Sequence, residues 1–87
     1  MATHADNRFV FNLDWYDEQA EIIRKYQLFF YSVSNMIEMF DVKNQRIFLK
    51  KMEIPGLRLE DFYIGSKVTI LSRILKVTGF GDERTRR

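Results

Sequence analysis

Phe9-Val10-Phe11-Asn12-Leu13-Asp14-Trp15-Tyr16 is the stretch on which the fold turns. Phe9, Phe11, Leu13 and Trp15 alternate with Val10, Asn12, Asp14 and Tyr16, and side chains that alternate with period two point to opposite faces of a strand. The segment therefore reads as a strand with one buried face. Before it lies a polar lead-in over 1–7, expected to be disordered. After it, 17–25 is ambiguous: Asp17 could cap a helix carrying Ile22, Ile23 and Tyr26. Aromatic, β-prone residues over 26–33 follow at once, so a full helix has no room to turn. A loop or one helical turn leading into a second strand over about 22–33 is the better reading. Ser34-Asn35 separates that strand from a third over 36–42, and Lys43-Asn44 separates the third from a fourth over 45–51; Asn tolerates the positive φ of tight turns. Pro55 and Gly56 break the chain, Leu59-Glu60-Asp61-Phe62 resembles one helical turn, and Gly65 ends it. Alternation returns over 67–72 and 73–78, as one long bent strand or two, until Gly79 to Gly81 stop it. A charged tail over 82–87, expected to fray, completes the chain. The pattern is mainly β: five or six strands, antiparallel by their short connections, closing into a small roll or barrel that hides its edges.

Length and composition set the limits. The 87 residues suffice for one domain, taken as 8–87, and not for two. An apolar fraction of 46%, with 15% aromatic residues, supplies a real core. Fourteen basic residues against twelve acidic give a net charge of +2, far from the one-sided balance of a dedicated nucleic-acid binder. Cysteine is absent, which excludes a disulfide framework, a thiolate nucleophile and a cysteine-based zinc site. No stretch has the apolar run of a secretory signal or approaches the ~20 apolar residues of a membrane span. A soluble, cytosolic protein is expected.

Chemistry finds little to work with. His4 is the sole histidine and lies in the polar lead-in, away from any partner that acid–base catalysis needs. Gly56, Gly65, Gly79 and Gly81 fall at strand ends and form no phosphate-binding loop. The nearest carboxylates, Asp14 with Asp17 and Glu18, or Glu60 with Asp61, read as solvated loop residues rather than an acid–base pair. No loop offers the alternating oxygens of a calcium site. The expectation is therefore no catalytic residue, no cofactor and no metal. Lys43, Arg46, Lys50 and Lys51 cluster at the Lys43-Asn44 hairpin. Alternation places Arg46 and Lys50 on one face with Phe48, opposite the core residues Ile47 and Leu49. Such a basic and aromatic face suits an anionic partner as well as it suits solvent. Trp15 and Tyr16 serve equally as core anchors or as interface residues.

Several separated blocks carry a family resemblance. They are Arg8-Phe9-Val10-Phe11, Trp15-Tyr16-Asp17, Glu38-Met39, the run 41–50 from Asp41-Val42-Lys43 to Lys50, then Asp61-Phe62-Tyr63-Ile64-Gly65, Ser72-Arg73-Ile74 and Gly81-Asp82-Glu83-Arg84-Thr85-Arg86. In this order they resemble the DM-ten domain of ciliary proteins, and look like the N-terminal module of the nucleoside diphosphate kinase homolog seven family. The resemblance implies a pleckstrin-homology-like roll of five to seven strands, with a C-terminal capping helix; no helical run of ten or more residues follows Thr78 here. It further implies a module placed ahead of two nucleoside diphosphate kinase domains that are not in this sequence, hence no kinase activity. It also implies residence among the microtubule inner proteins of axonemal doublets in cilia and flagella, with tubulin or a neighbouring inner protein as partner. On this reading Lys43, Asn44, Arg46, Lys50 and Lys51 are the expected protein-binding residues, with Trp15, Tyr16 and Arg73 as anchors. Neither nucleic acid nor membrane is expected as partner, and the isolated domain is expected to be a monomer. Two alternatives remain: an oligonucleotide-binding barrel in which Phe29 and Tyr31 stack bases, and a phosphoinositide-binding module using the basic hairpin.

Overall fold

Alternation of buried and open positions survives in the folded chain and generates a sheet of six antiparallel strands. A computed structural model describes residues 7–82 and residue 85. The lead-in over 1–7, expected to be disordered, lies outside the described residues except for Asn7, as does most of the tail. The strands are β1 Arg8–Asp17, β2 Ile22–Tyr31, β3 Met36–Asp41, β4 Arg46–Glu53, β5 Lys67–Ile70 and β6 Arg73–Phe80, with a short 3-10 turn at Leu59–Asp61. Their order across the sheet is β4-β3-β2-β1-β6-β5. Arg73 on β6 nevertheless reaches the Phe48 ring on β4, 5.1 Å from its centroid, although three strands separate the two in the sheet. The sheet is thus curled into a half-barrel, mainly β as expected, with β4 and β5 left as edge strands where closure was expected to hide the edges.

The inner face carries Leu13, Leu28, Ile37, Met39, Leu75 and Val77, each 1% exposed or less. Burial of such side chains stabilises by roughly 1.5–3 kcal/mol apiece before chain entropy is counted. The link between β4 and β5 adds the buried Leu57 and Phe62. Phe62 stacks on Phe11 at 4.8 Å and meets the edge of Phe30 at 5.7 Å, closing one side of the curl.

Three hairpins share one construction. Their loops, 18–21, 32–35 and 42–45, are each four residues long and end on a residue of positive φ: Glu21 at 57°, Asn35 at 60° and Gln45 at 54°. Asn35 occupies the left-handed position, as its residue type suggests. In the next hairpin Gln45 takes that position and Asn44 does not. Asn44 instead donates its backbone N–H (3.2 Å) and its side-chain amide (2.8 Å) to the Asp41 carboxylate. The segment 67–80 resolves into two strands joined by Leu71 and Ser72, both at positive φ.

Two expectations need correcting. Gly79 does not stop β6, which runs on to Phe80; Gly79 lies opposite Asn12, where β1 shifts register between Asn12 and Leu13. In β4 the alternation fails. Met39 pairs with Leu49 and the adjacent Phe40 with Ile47, leaving Phe48 as an extra residue, and a second register shift follows between Ile37 and Met39. A bulge turns the strand by one side-chain position. Ile47 is consequently exposed rather than in the core, Leu49 packs against the core, and Phe48 meets the buried Tyr26 at 4.7 Å.

Beyond β6 the chain is tied back to β1. Gly81 N–H donates to Val10 O (2.7 Å) and Val10 N–H donates to Thr85 Oγ1 (2.7 Å). Asp82 Oδ1 accepts the Thr85 N–H (2.9 Å) in the manner of a helix N-cap, and Thr85 itself has helical backbone and is buried.

Candidate protein-binding site

The expected binding residues fall in three places rather than one. Lys43, Asn44, Arg46, Lys50 and Lys51 are all exposed on the β3–β4 hairpin and along β4. β4 lies at the edge of the sheet. Asn44 is committed to the turn through Asp41, and that hydrogen bonding, first among the causes, holds the Asp41 carboxyl below its ordinary value. Lys51 lies over the Tyr31 ring at 4.0 Å, and Tyr31 donates its hydroxyl to Glu38 Oε1 (2.9 Å). Burial, then the bond to Glu38, raises the Tyr31 phenol above its usual range. Phe29 is covered likewise by Arg8 at 4.9 Å. Both rings proposed for base stacking are therefore already faced by cations.

Trp15 and Tyr16 part company because neighbours on a strand point to opposite faces. Trp15 packs against the core on the inner side, whereas Tyr16 is 55% exposed on the outer side. Tyr16 pairs across the β1–β2 ladder with Ile23, and both line an outer groove that also includes Ile74. The alternation of Ile74 with buried Leu75 was the available signal for this exposed apolar patch, and the sequence reading missed it.

Arg73 does join Trp15. Its guanidinium lies 4.7 Å from the Trp15 ring centroid and 5.1 Å from that of Phe48, and Tyr26 and Arg46 line the same cleft. Desolvation of the Tyr26 hydroxyl raises its pKa. The rim carries Asp17 and Asp41 beside Arg24 and Arg46. Asp17 pairs with Arg24 Nε at 2.9 Å and accepts the Ala20 N–H, and the Arg24 hydrogen bond, the largest cause, draws its carboxyl below the ordinary value. Across the molecule the chemistry is that of charge and aromatic contact. Among the described residues no three His, Asp or Glu side chains converge on a metal site.

Comparison with known proteins bears on what such a surface serves. The family described as "Nucleoside diphosphate kinase 7 N-terminal PH domain" matches residues 3–87. Nucleoside diphosphate kinase homolog 7 of Mus musculus is 48% identical over 80 residues, covering 92% of this chain and 20% of its own length. The protein of that name from Rattus norvegicus is 46% identical over the same spans. The chain spans about a fifth of the length of these curated relatives.

Proposed function

Because the chain belongs to the nucleoside diphosphate kinase 7 N-terminal PH domain family, we propose that it docks its parent kinase-like protein onto axonemal doublet microtubules, through tubulin or a neighbouring inner protein. The domain itself is not a catalytic kinase domain: it corresponds to the N-terminal PH-like part of its relatives. Ciliary residence, the doublet partner and the DM-ten designation belong to this proposal.

The observation that carries it is the concentration of charge at one sheet edge. Between 42 and 52 the chain has four basic residues, Lys43, Arg46, Lys50 and Lys51, all exposed, and no acidic one. A patch of one sign on a nearly neutral molecule steers and orients an oppositely charged surface. Edge lysines also discourage self-pairing of an open strand, so the same residues suit a monomer that binds a partner of other composition.

Cosedimentation with doublet microtubules tests the reading. The wild-type domain is expected to sediment with doublets, and the combined change of Lys43, Arg46, Lys50 and Lys51 to Glu is expected to weaken binding by at least about tenfold at low salt. Binding that survives the fourfold reversal unaltered removes the hairpin as the docking site.

A further inference from the structure

We infer that the cleft between β4 and the β1–β6 pair receives a carboxylate side chain from an acidic segment of a partner protein, with Arg73 as the cation that takes it. The inference rests on the docking reading above and supplies its contact chemistry.

Among the described residues Arg46 and Arg73 are the cations of this cleft without a bonded carboxylate, and of the two it is Arg73 that holds a buried donor with no acceptor. Three arginines, Arg24, Arg46 and Arg73, share the cleft with two carboxylates, Asp17 and Asp41. Asp17 is engaged by Arg24 and by the Ala20 N–H, and Asp41 by two bonds from Asn44. Among the described residues no carboxylate pairs with Arg73, and its Nε is buried without an acceptor. A buried guanidinium donor left unmade is costly, so a site that holds one is chemically incomplete. The guanidinium carbon lies over the rings of Trp15 and Phe48, 4.7 and 5.1 Å from their centroids. Those contacts engage its charge without supplying an oxygen acceptor, and its N–H fork matches a carboxylate in bidentate fashion.

Charge around the mouth selects the occupant. Arg46 on the rim and Lys43 at the adjoining hairpin are exposed, and the absence of acidic residues over 42–52 leads an acidic chain toward the opening. Asp17 and Asp41 set the opposite limit, since two resident negative charges penalise a doubly charged phosphate more than a singly charged carboxylate. A glutamate or aspartate on an extended protein segment satisfies both conditions.

Trp15 is the only tryptophan of the chain and lines this cleft, so tryptophan emission reports on its occupation. A glutamate-rich peptide titrated into the domain at low salt is expected to change Trp15 fluorescence saturably, and to lose affinity at least about tenfold between about 50 and 200 mM salt. Arg73→Gln is expected to abolish the Trp15 response and weaken the peptide at least about tenfold, in a protein whose circular dichroism matches wild type. Should that variant fail to fold, Arg46→Glu on the exposed rim decides: several-fold weaker peptide binding supports the assignment, and unchanged binding overturns it. Absence of any wild-type response, or equal affinity in Arg73→Gln, overturns it as well. So does a Trp15 change produced by inorganic phosphate or phosphatidylserine vesicles but not by the peptide. Doublet cosedimentation keeps the two readings apart. A domain that takes the peptide through Arg73 but does not sediment supports this inference and removes the docking; sedimentation unaffected by Arg73→Gln retains the docking and removes this inference.

Discussion

Gly81 shows how one atom can matter to the whole chain. A Cβ built there would overlap Cγ1 and Cβ of Val10, because the backbone passes directly over that residue to place its N–H on Val10 O. Val10 is 4% exposed and has no room to withdraw. Gly81→Ala is expected to lower unfolding free energy by about 1–3 kcal/mol, read from the urea midpoint at constant slope. Asp17 supplies a prediction of a different kind. Its carboxyl is more acidic in the fold than in the unfolded chain, chiefly through Arg24. A depressed pKa contributes stability that is complete above the unfolded value and is lost as pH falls through the folded one. The wild-type urea midpoint is therefore expected to drop below about pH 4, and Asp17→Asn to show a smaller drop over the same window. Equal acid sensitivity in the two proteins counts against the pairing with Arg24.

Elements differ in how openly the sequence declares them. β1 is written in plain alternation, whereas the start of β2 over 22–25 also fitted a helical turn; their register runs without interruption from Arg8 with Tyr31 to Asp17 with Ile22. The β5–β6 turn is not written at all. Its residues, Leu71 at φ 49° and Ser72 at φ 69°, take the left-handed conformations that two-residue hairpins ordinarily assign to Asn and Gly. Alternation on both sides thus fitted one bent strand as well as two. The same observation predicts a gain: Leu71→Asn combined with Ser72→Gly is expected to stabilise the domain by about 1–2 kcal/mol in chemical denaturation. β4 conceals its geometry in another way. Each of two extra residues relative to β3 turns the strand by one side-chain position, and no Gly or Pro within Arg46–Glu53 marks them. Ile47 was placed inside for that reason and lies outside. Of the candidate site, the opposition of Trp15 and Tyr16 follows from strand period alone. The meeting of Arg73 with Phe48 depends on the curl of the entire sheet, which no local spacing records.

At the scale of the molecule, Phe62 ties the link between the two edge strands to the middle of the sheet. It comes from the link between β4 and β5 and touches Phe11 on β1 and Phe30 on β2. Phe62→Ala is expected to cost about 3–5 kcal/mol, enough to bring a small domain near its unfolding midpoint at room temperature, as a thermal melt would record. Unchanged melting would mean that the link does not close the curl. The strand order also has a temporal side. β1 pairs with β2 through a hairpin, but its other edge waits for β6 and for Thr85, whose hydroxyl meets Val10 across 75 residues of chain. On the ribosome, β1 to β4 emerge as a complete meander while that edge is still bare. The nascent domain consequently passes through a stage in which an interior strand behaves as a sticky border, until β6 and Thr85 emerge to cover it.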